Sequence, residues 1–281
     1  MRTLLSSLMV FTITAAYPQA PPYSAVSPYI NTAACNEHFS DAFSFCANTA
    51  ALAGITRFTA AVSTERRFML AELNRFVAVL SCPVNKGGLG LVTGWSGFSD
   101  FNETQIGLAY GKQLGKVNIG LQFNYHGRRI AGYGGNMAIA ADIGSTWHIN
   151  KKLYTAIQLR HIAAGKYNKN AGEKLPAEYT SSIGYEVSEK VFTNAQISKE
   201  ENKPVNVIVS VQYVIDKKLF TRFAISTVTA SPFFSAGWKW KDCRVDITAG
   251  YHPQLGISPG IVVQFIGKSY HRNGGENAEE N

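Results

Sequence analysis

The stretch ETQIGLAYGKQLGKVNIGLQFNY, residues 103–125, decides the fold. Its first half sets Ile106, Leu108 and Tyr110 against Gln105, Gly107, Ala109 and Gly111. Its second half sets Val117, Ile119, Leu121, Phe123 and Tyr125 against Asn118, Gly120, Gln122 and Asn124. A period of two marks a strand whose two faces meet different surroundings. One face here is aliphatic with aromatic ends, and the other is small and amide-rich. The polar residues between the halves leave room only for a tight turn, so the pair forms a hairpin.

The same plan repeats to the end of the chain. Strand-like runs fall at about 57–64, 70–82, 88–98, 103–113, 115–126, 137–149, 152–163, 177–188, 191–200, 204–215, 218–228, 232–241, 243–252 and 257–266. That makes about fourteen strands, an even number as in bacterial membrane barrels. Some connections are tight and polar, at 113–116, 150–152, 188–190, 216–218 and 241–242. Longer ones lie between them, at 127–136, 164–177, 198–203, 229–232 and 252–259. A soluble β-sandwich, the competing architecture, has no reason to keep every second turn short. An outer-membrane barrel does, because its periplasmic turns are short and its external loops long. The fold expected is therefore all-β: a transmembrane antiparallel barrel over 55–267, monomeric, with the Gln113–Lys116 turn in the periplasm.

Composition agrees. Charged residues make up 16% of the 281-residue chain, against about a quarter in ordinary domains, while Gly (25), Phe (16) and Tyr (13) are plentiful. The net charge of +8 is spread over turns and loop ends, which argues against a nucleic-acid surface. Arg2 followed by the apolar run LLSSLMVFTITAA (residues 4–16) and small residues reads as an export signal over 1–20. Cys35 lies too far beyond that run for a lipoprotein anchor. The segment 21–54 begins extended and proline-rich. It then turns alanine-rich and weakly helical at CNEHFSDAFSFCANTAALAG (residues 35–54), a candidate plug for the barrel. Cys35 and Cys46 are placed either to pair or to remain small buried thiols. The polar tail 268–281 reads as disordered.

Face assignment follows from parity. Ile139, Ile143, Trp147, Leu153, Ile157, Leu159, Val207, Val209, Val211, Phe223, Ile225, Phe234, Val245, Ile247, Ile261, Val263 and Phe265 point to lipid. Trp147, Tyr213, Trp238, Trp240 and Tyr251 form aromatic girdles near the run ends. The same parity turns Asp142, Arg160, Glu186, Arg222, Lys239, Arg244 and Asp246 into the lumen. Those charges fit either a salt-bridge network that rigidifies the lumen or a charged constriction that selects solutes. For the strand at 70–82 the outer face is open between Phe76, Ala78 and Leu80 on one side and Val77 and Val79 on the other. There is no GxSxG, HExxH, P-loop or dinucleotide motif, and the six histidines are scattered, so no catalytic residue, metal site or cofactor is assigned.

At FCANTAALA (residues 45–53), after Ser40, Asp41 and Ala42, the chain resembles the N-terminal region of the FadL-type outer-membrane superfamily, and most closely its PorV/PorQ branch of Bacteroidetes. Asn48, Ala50 and Leu52 match that branch's Asn-Pro-Ala-Gly-Leu element, while Thr49 replaces the Pro and Ala51 the Gly. Arg67-Phe68, Leu70 to Asn74, Glu103 to Gln105 and Leu108 to Gly111 are similar to it as well. The resemblance implies a fourteen-stranded barrel with an N-terminal plug, and makes Phe45, Asn48 and Leu52 candidate plug and ligand contacts. It implies passive movement of small hydrophobic solutes across the outer membrane. Alternatively, it implies a cargo-binding or accessory barrel of the type IX secretion system. The partners expected are outer-membrane lipid with either hydrophobic small molecules or secretion proteins. A purely structural barrel is a third reading.

Overall fold

The computed structural model describes residues 39–163, 165, 175–216, 218–228 and 230–269. The expected signal, most of the extended segment, Cys35 and most of the polar tail lie outside these residues.

Fourteen antiparallel strands close on themselves, each paired with its sequence neighbours and β1 with β14. They are β1 (Arg57–Arg66), β2 (Asn74–Val84), β3 (Gly87–Gly97), β4 (Phe101–Leu114), β5 (Val117–Ile130), β6 (Gly134–His148) and β7 (Leu153–Arg160). The second half comprises β8 (Glu178–Ser188), β9 (Val191–Glu200), β10 (Asn206–Asp216), β11 (Leu219–Ser226), β12 (Ser231–Trp240), β13 (Cys243–His252) and β14 (Gly256–Ser269). Closure removes every free edge, the condition for crossing a bilayer with strands.

The opening hairpin is β4 and β5. Leu114 stands opposite Val117, Tyr110 opposite Leu121 and Ile106 opposite Tyr125. Ile106, Leu108, Tyr110, Leu121, Phe123 and Tyr125 are exposed on the outside, whereas Gly107, Ala109, Gly111, Gln122 and Asn124 are buried inside. Gly115 takes the positive φ (63°) of the two-residue turn, a conformation that costs a side-chain-bearing residue more. The same in–out pattern runs round the barrel, with Val209, Phe223, Phe234, Ile247 and Ile261 outward and Gln196, Gln212, Ser235, Asp246 and Gln264 inward. A closed barrel with this apolar belt between aromatic rims is a multi-pass protein of the bacterial outer membrane.

Two details differ from expectation, and a third decides a face that the sequence leaves open. Residues 70–73 are not strand: two short 3-10 turns (Arg67–Met69 and Ala71–Leu73) fill the β1–β2 connection, where Phe68 and Met69 take positive φ. The long loop expected at 127–136 shrinks to three residues, because β5 and β6 stay paired out to Ile130 opposite Gly134. On β2, Phe76 and Leu80 face outward, and Val77 and Val79 are buried inside. The reason for that last choice is the lumen's contents.

Candidate functional site in the barrel lumen

Residues 39–54 fill the short-turn half of the lumen. Asp41 starts a one-turn helix, α1 (Ser44–Ala47): its Oδ1 accepts from the Phe43 N–H at 2.9 Å, and the Ser44 hydroxyl accepts from the Asp41 N–H at 2.8 Å. These bonds close the turn that leads into the helix, whose N-cap residue, Phe43, makes no side-chain capping bond. A 3-10 helix, Thr49–Gly54, follows directly, with Asn48 as its cap. The Asn48 side chain accepts from the Ala50 N–H (2.9 Å) and donates to the wall carbonyls of Ser145 (3.3 Å) and Ile157 (3.1 Å). Gln158 accepts from the Thr49 N–H at 3.2 Å.

The seat is made of inward glycines. A Cβ at Gly120 would lie 2.3 Å from the Thr49 carbonyl carbon, one at Gly111 2.7 Å from Ala53 N, and one at Gly88 2.5 Å from Leu52 O. Residues on β3, β4 and β5 thus lack side chains where the plug backbone rests on the wall. Beside this seat the lumen is apolar. Phe43, Phe45, Ala47 and Leu52 of the plug share one buried cluster with Ala61, Val77, Val79, Val92, Ala109, Ile208, Ala224, Phe233 and Val262 of the wall. This is why Val77 and Val79 turn inward: they face a packed core rather than water. Leu52 has no exposed surface and sits over Gly90 and Gly111. Leu52→Ala should therefore weaken plug docking by about 2–5 kcal/mol, read as faster alkylation of Cys46.

Two arginines latch the plug. Arg222 Nη1 lies 2.8 Å from Asp41 Oδ2, with both side chains buried. Arg160 donates from Nη2 to the Cys46 carbonyl (2.7 Å) and from Nη1 to Glu178 (3.0 Å), so it ties the end of α1 to β7 and β8. A guanidinium at this point also complements the negative end of the helix. Cys46 carries a free thiol, and Cys35, the partner the sequence offered it, lies outside the described residues. Burial pushes that thiol up to about 12, against the lowering effect of Arg160. It is a poor nucleophile while the plug is seated.

Among the sequence-assigned lumen charges, Arg244 pairs with Asp246 at 2.7 Å and lies over the Phe220 ring. Asp142 accepts from Asn124 Nδ2 (2.8 Å) and the His161 N–H (2.8 Å), and Glu186 is buried on the inner face of β8. Lys239 shares the inward parity of β12. The structure therefore brings Arg160 and Arg222 to the plug. Asp41 and Glu178, their partners, escaped the sequence reading. The local signal for Asp41 was its place three residues before Ser44, ahead of a short apolar run. Phe45, Asn48 and Leu52 all lie in the plug, packed against the wall. Among the described residues, no group of three His, Cys, Asp or Glu side chains is placed to hold a metal ion.

This architecture has solved counterparts. The toluene transporter TbuX of Ralstonia pickettii superposes with a TM-score of 0.62 at 8% identity, over 89% of this chain and 99% of that one. The toluene transporter TodX of Pseudomonas putida gives 0.57 at 9% identity, over 88% and 97%. A deltaS2 mutant of the TodX monoaromatic hydrocarbon channel gives 0.60 at 11% identity, over 89% and 99%. The fold resembles that of these transporters. No family model matches the chain. No curated protein matches it in sequence. At these identities the likeness is one of fold alone.

Proposed function

We propose that this barrel passes small hydrophobic solutes across the outer membrane without an energy source, with residues 39–54 as the plug that governs passage. The observation that carries this reading is the apolar inner wall. A water-filled porin has a polar interior. Here Ala61, Val77, Val79, Val92, Ala109 and Val262 line the lumen from β14 round to β4 and meet Phe43, Phe45 and Leu52. A hydrophobic solute reaching this wall would exchange contacts with the plug instead of being repelled by bound water. The toluene transporters of similar fold support the same solute class.

The test is uptake of radiolabelled toluene by cells with an intact lipopolysaccharide leaflet. Cells producing the protein should take it up several-fold faster than vector controls, and Asp41→Ala should change that rate. Uptake equal to the control would refute transport.

One observation favours a second reading. The ion pairs Asp41–Arg222, Arg244–Asp246 and Arg160–Glu178 occupy the lumen, as in a filled barrel that binds partners through its loops. Under that reading uptake stays at control level, and partner proteins, such as secretion components of the PorV/PorQ setting, co-purify from outer membranes.

A further inference from the structure

The two ends of the barrel differ in charge in a way that transport does not use. Six turns join the strands at the end where the plug sits, and every one carries lysine: Lys86, Lys116, Lys151, Lys190, Lys218 and Lys241, one from each. Over all six turns there are eight lysines against two acids, Glu189 and Asp242. The seven connections at the other end hold five basic and four acidic residues, a near balance. Matched pairs also form at that end, Arg128 with Glu103 at 3.0 Å between strand ends and Lys203 of a connection with Glu200 at 2.9 Å. The six lysines named are all exposed.

Their level in the membrane is fixed by the strands. Trp147, Trp238 and Trp240 lie on the outer side of β6 and β12, within a few residues of these turns, with Tyr110, Tyr185 and Tyr213 at the same end on β4, β8 and β10. Indole and phenol rings settle at the headgroup boundary. Five of the six turns are only two residues long, so their ammonium groups cannot reach far beyond that boundary. A lysine stem lies along apolar surface and lifts its charge into the headgroup layer.

We infer that this rim is a ring-shaped binding surface for anionic phospholipid headgroups, of the phosphatidylglycerol type, in the leaflet next to the short turns. The ring gives the barrel a lipid preference at one end only. It anchors the turns that surround the plug, so the plug's seat is held against the membrane.

The tryptophans report directly on this ring. Three of the four in the chain lie at the lysine end, and Trp95 at the other. Full-length Trp95→Phe protein is placed in vesicles of equimolar phosphatidylcholine and phosphatidylglycerol, with bromine on the acyl chains of one lipid or the other. Both leaflets then have the same composition, so insertion direction does not matter. Brominated phosphatidylglycerol should quench more strongly, with an association preference of at least roughly twofold. The preference should vanish at high salt. It should vanish when the six lysines become glutamine and survive when they become arginine, with heat-modifiable gel mobility confirming a folded barrel in each. Equal quenching by the two lipids, or a preference that persists in the glutamine variant, overturns the proposal. Binding of polyglutamate to the protein in pure phosphatidylcholine, without any preference for phosphatidylglycerol, would assign the ring to an acidic protein instead and overturn it too.

Discussion

Gly120→Val is expected to unseat the plug and leave the barrel standing. The Cβ it adds would lie 2.3 Å from the Thr49 carbonyl carbon and 2.5 Å from Ala50 N. Both are backbone atoms, so no rotamer change relieves the clash. β5 itself is held by continuous pairing to β4 and β6, from Val117 opposite Leu114 and Trp147 to Ile130 opposite Phe101 and Gly134. Valine also suits a strand. The strain therefore falls on the 3-10 helix, which has fewer bonds to lose. Overpacking of this kind costs about 1–3 kcal/mol where neighbours can shift, and more where they cannot. With Cys35, Cys82 and Cys243 replaced by serine, Cys46 is the reporter: enclosed in the seated plug, it reacts slowly with maleimide at neutral pH, and released it reacts in minutes. Equal labelling rates in the parent and in Gly120→Val, both folded, would show that the glycine seat does not hold the plug.

Asp41→Ala should be the most damaging single change within the plug. It removes the carboxylate beside Arg222 in a place where the arginine side chain has no exposed surface. It also removes the acceptor for the Phe43 N–H at the start of α1. Breaking a buried ion pair costs about 3–5 kcal/mol, because one charge stays behind in a low-dielectric site. That is a shift of roughly two to four decades in the docking equilibrium. The double variant Asp41→Ala/Arg222→Met should recover most of the loss, since no charge then remains to be solvated. Cys46 alkylation rates across the parent, both single variants and the double variant give the coupling directly. Additive single effects, with no recovery, would mean that the pair does not latch the plug.

The fold was legible because a membrane barrel writes its two solvents into alternate residues. Ile106, Leu108 and Tyr110 against Gly107, Ala109 and Gly111 sufficed to orient β4, and the parity that put Val245 and Ile247 outward put Arg244 and Asp246 inward. The pattern lost contrast at β2, where both faces are apolar: Phe76 and Leu80 meet lipid, and Val77 and Val79 meet the plug. Hairpin tips were also hidden. Gly127, Arg128 and Arg129 read as loop, yet Arg128 bonds across the strand pair to Glu103 and keeps the ladder going. At the site, sequence parity found Arg160 and Arg222 but not their roles. Their partners on the plug, the Cys46 carbonyl and Asp41, come from a segment with no periodicity to read. Gly111 and Gly120 were visible as small lumen residues. That they form a seat depends on which backbone crosses the lumen opposite them, which local sequence does not encode.

Single-channel recording in a planar bilayer tests the filled lumen most directly. The account predicts that the parent protein shows no steady open-pore conductance, because residues 39–54 span the lumen from Arg222 on β11 to Gly120 on β5. Gly120→Val should show clear opening steps under the same conditions. A steady, ohmic pore in the parent, unchanged by Gly120→Val, would contradict it.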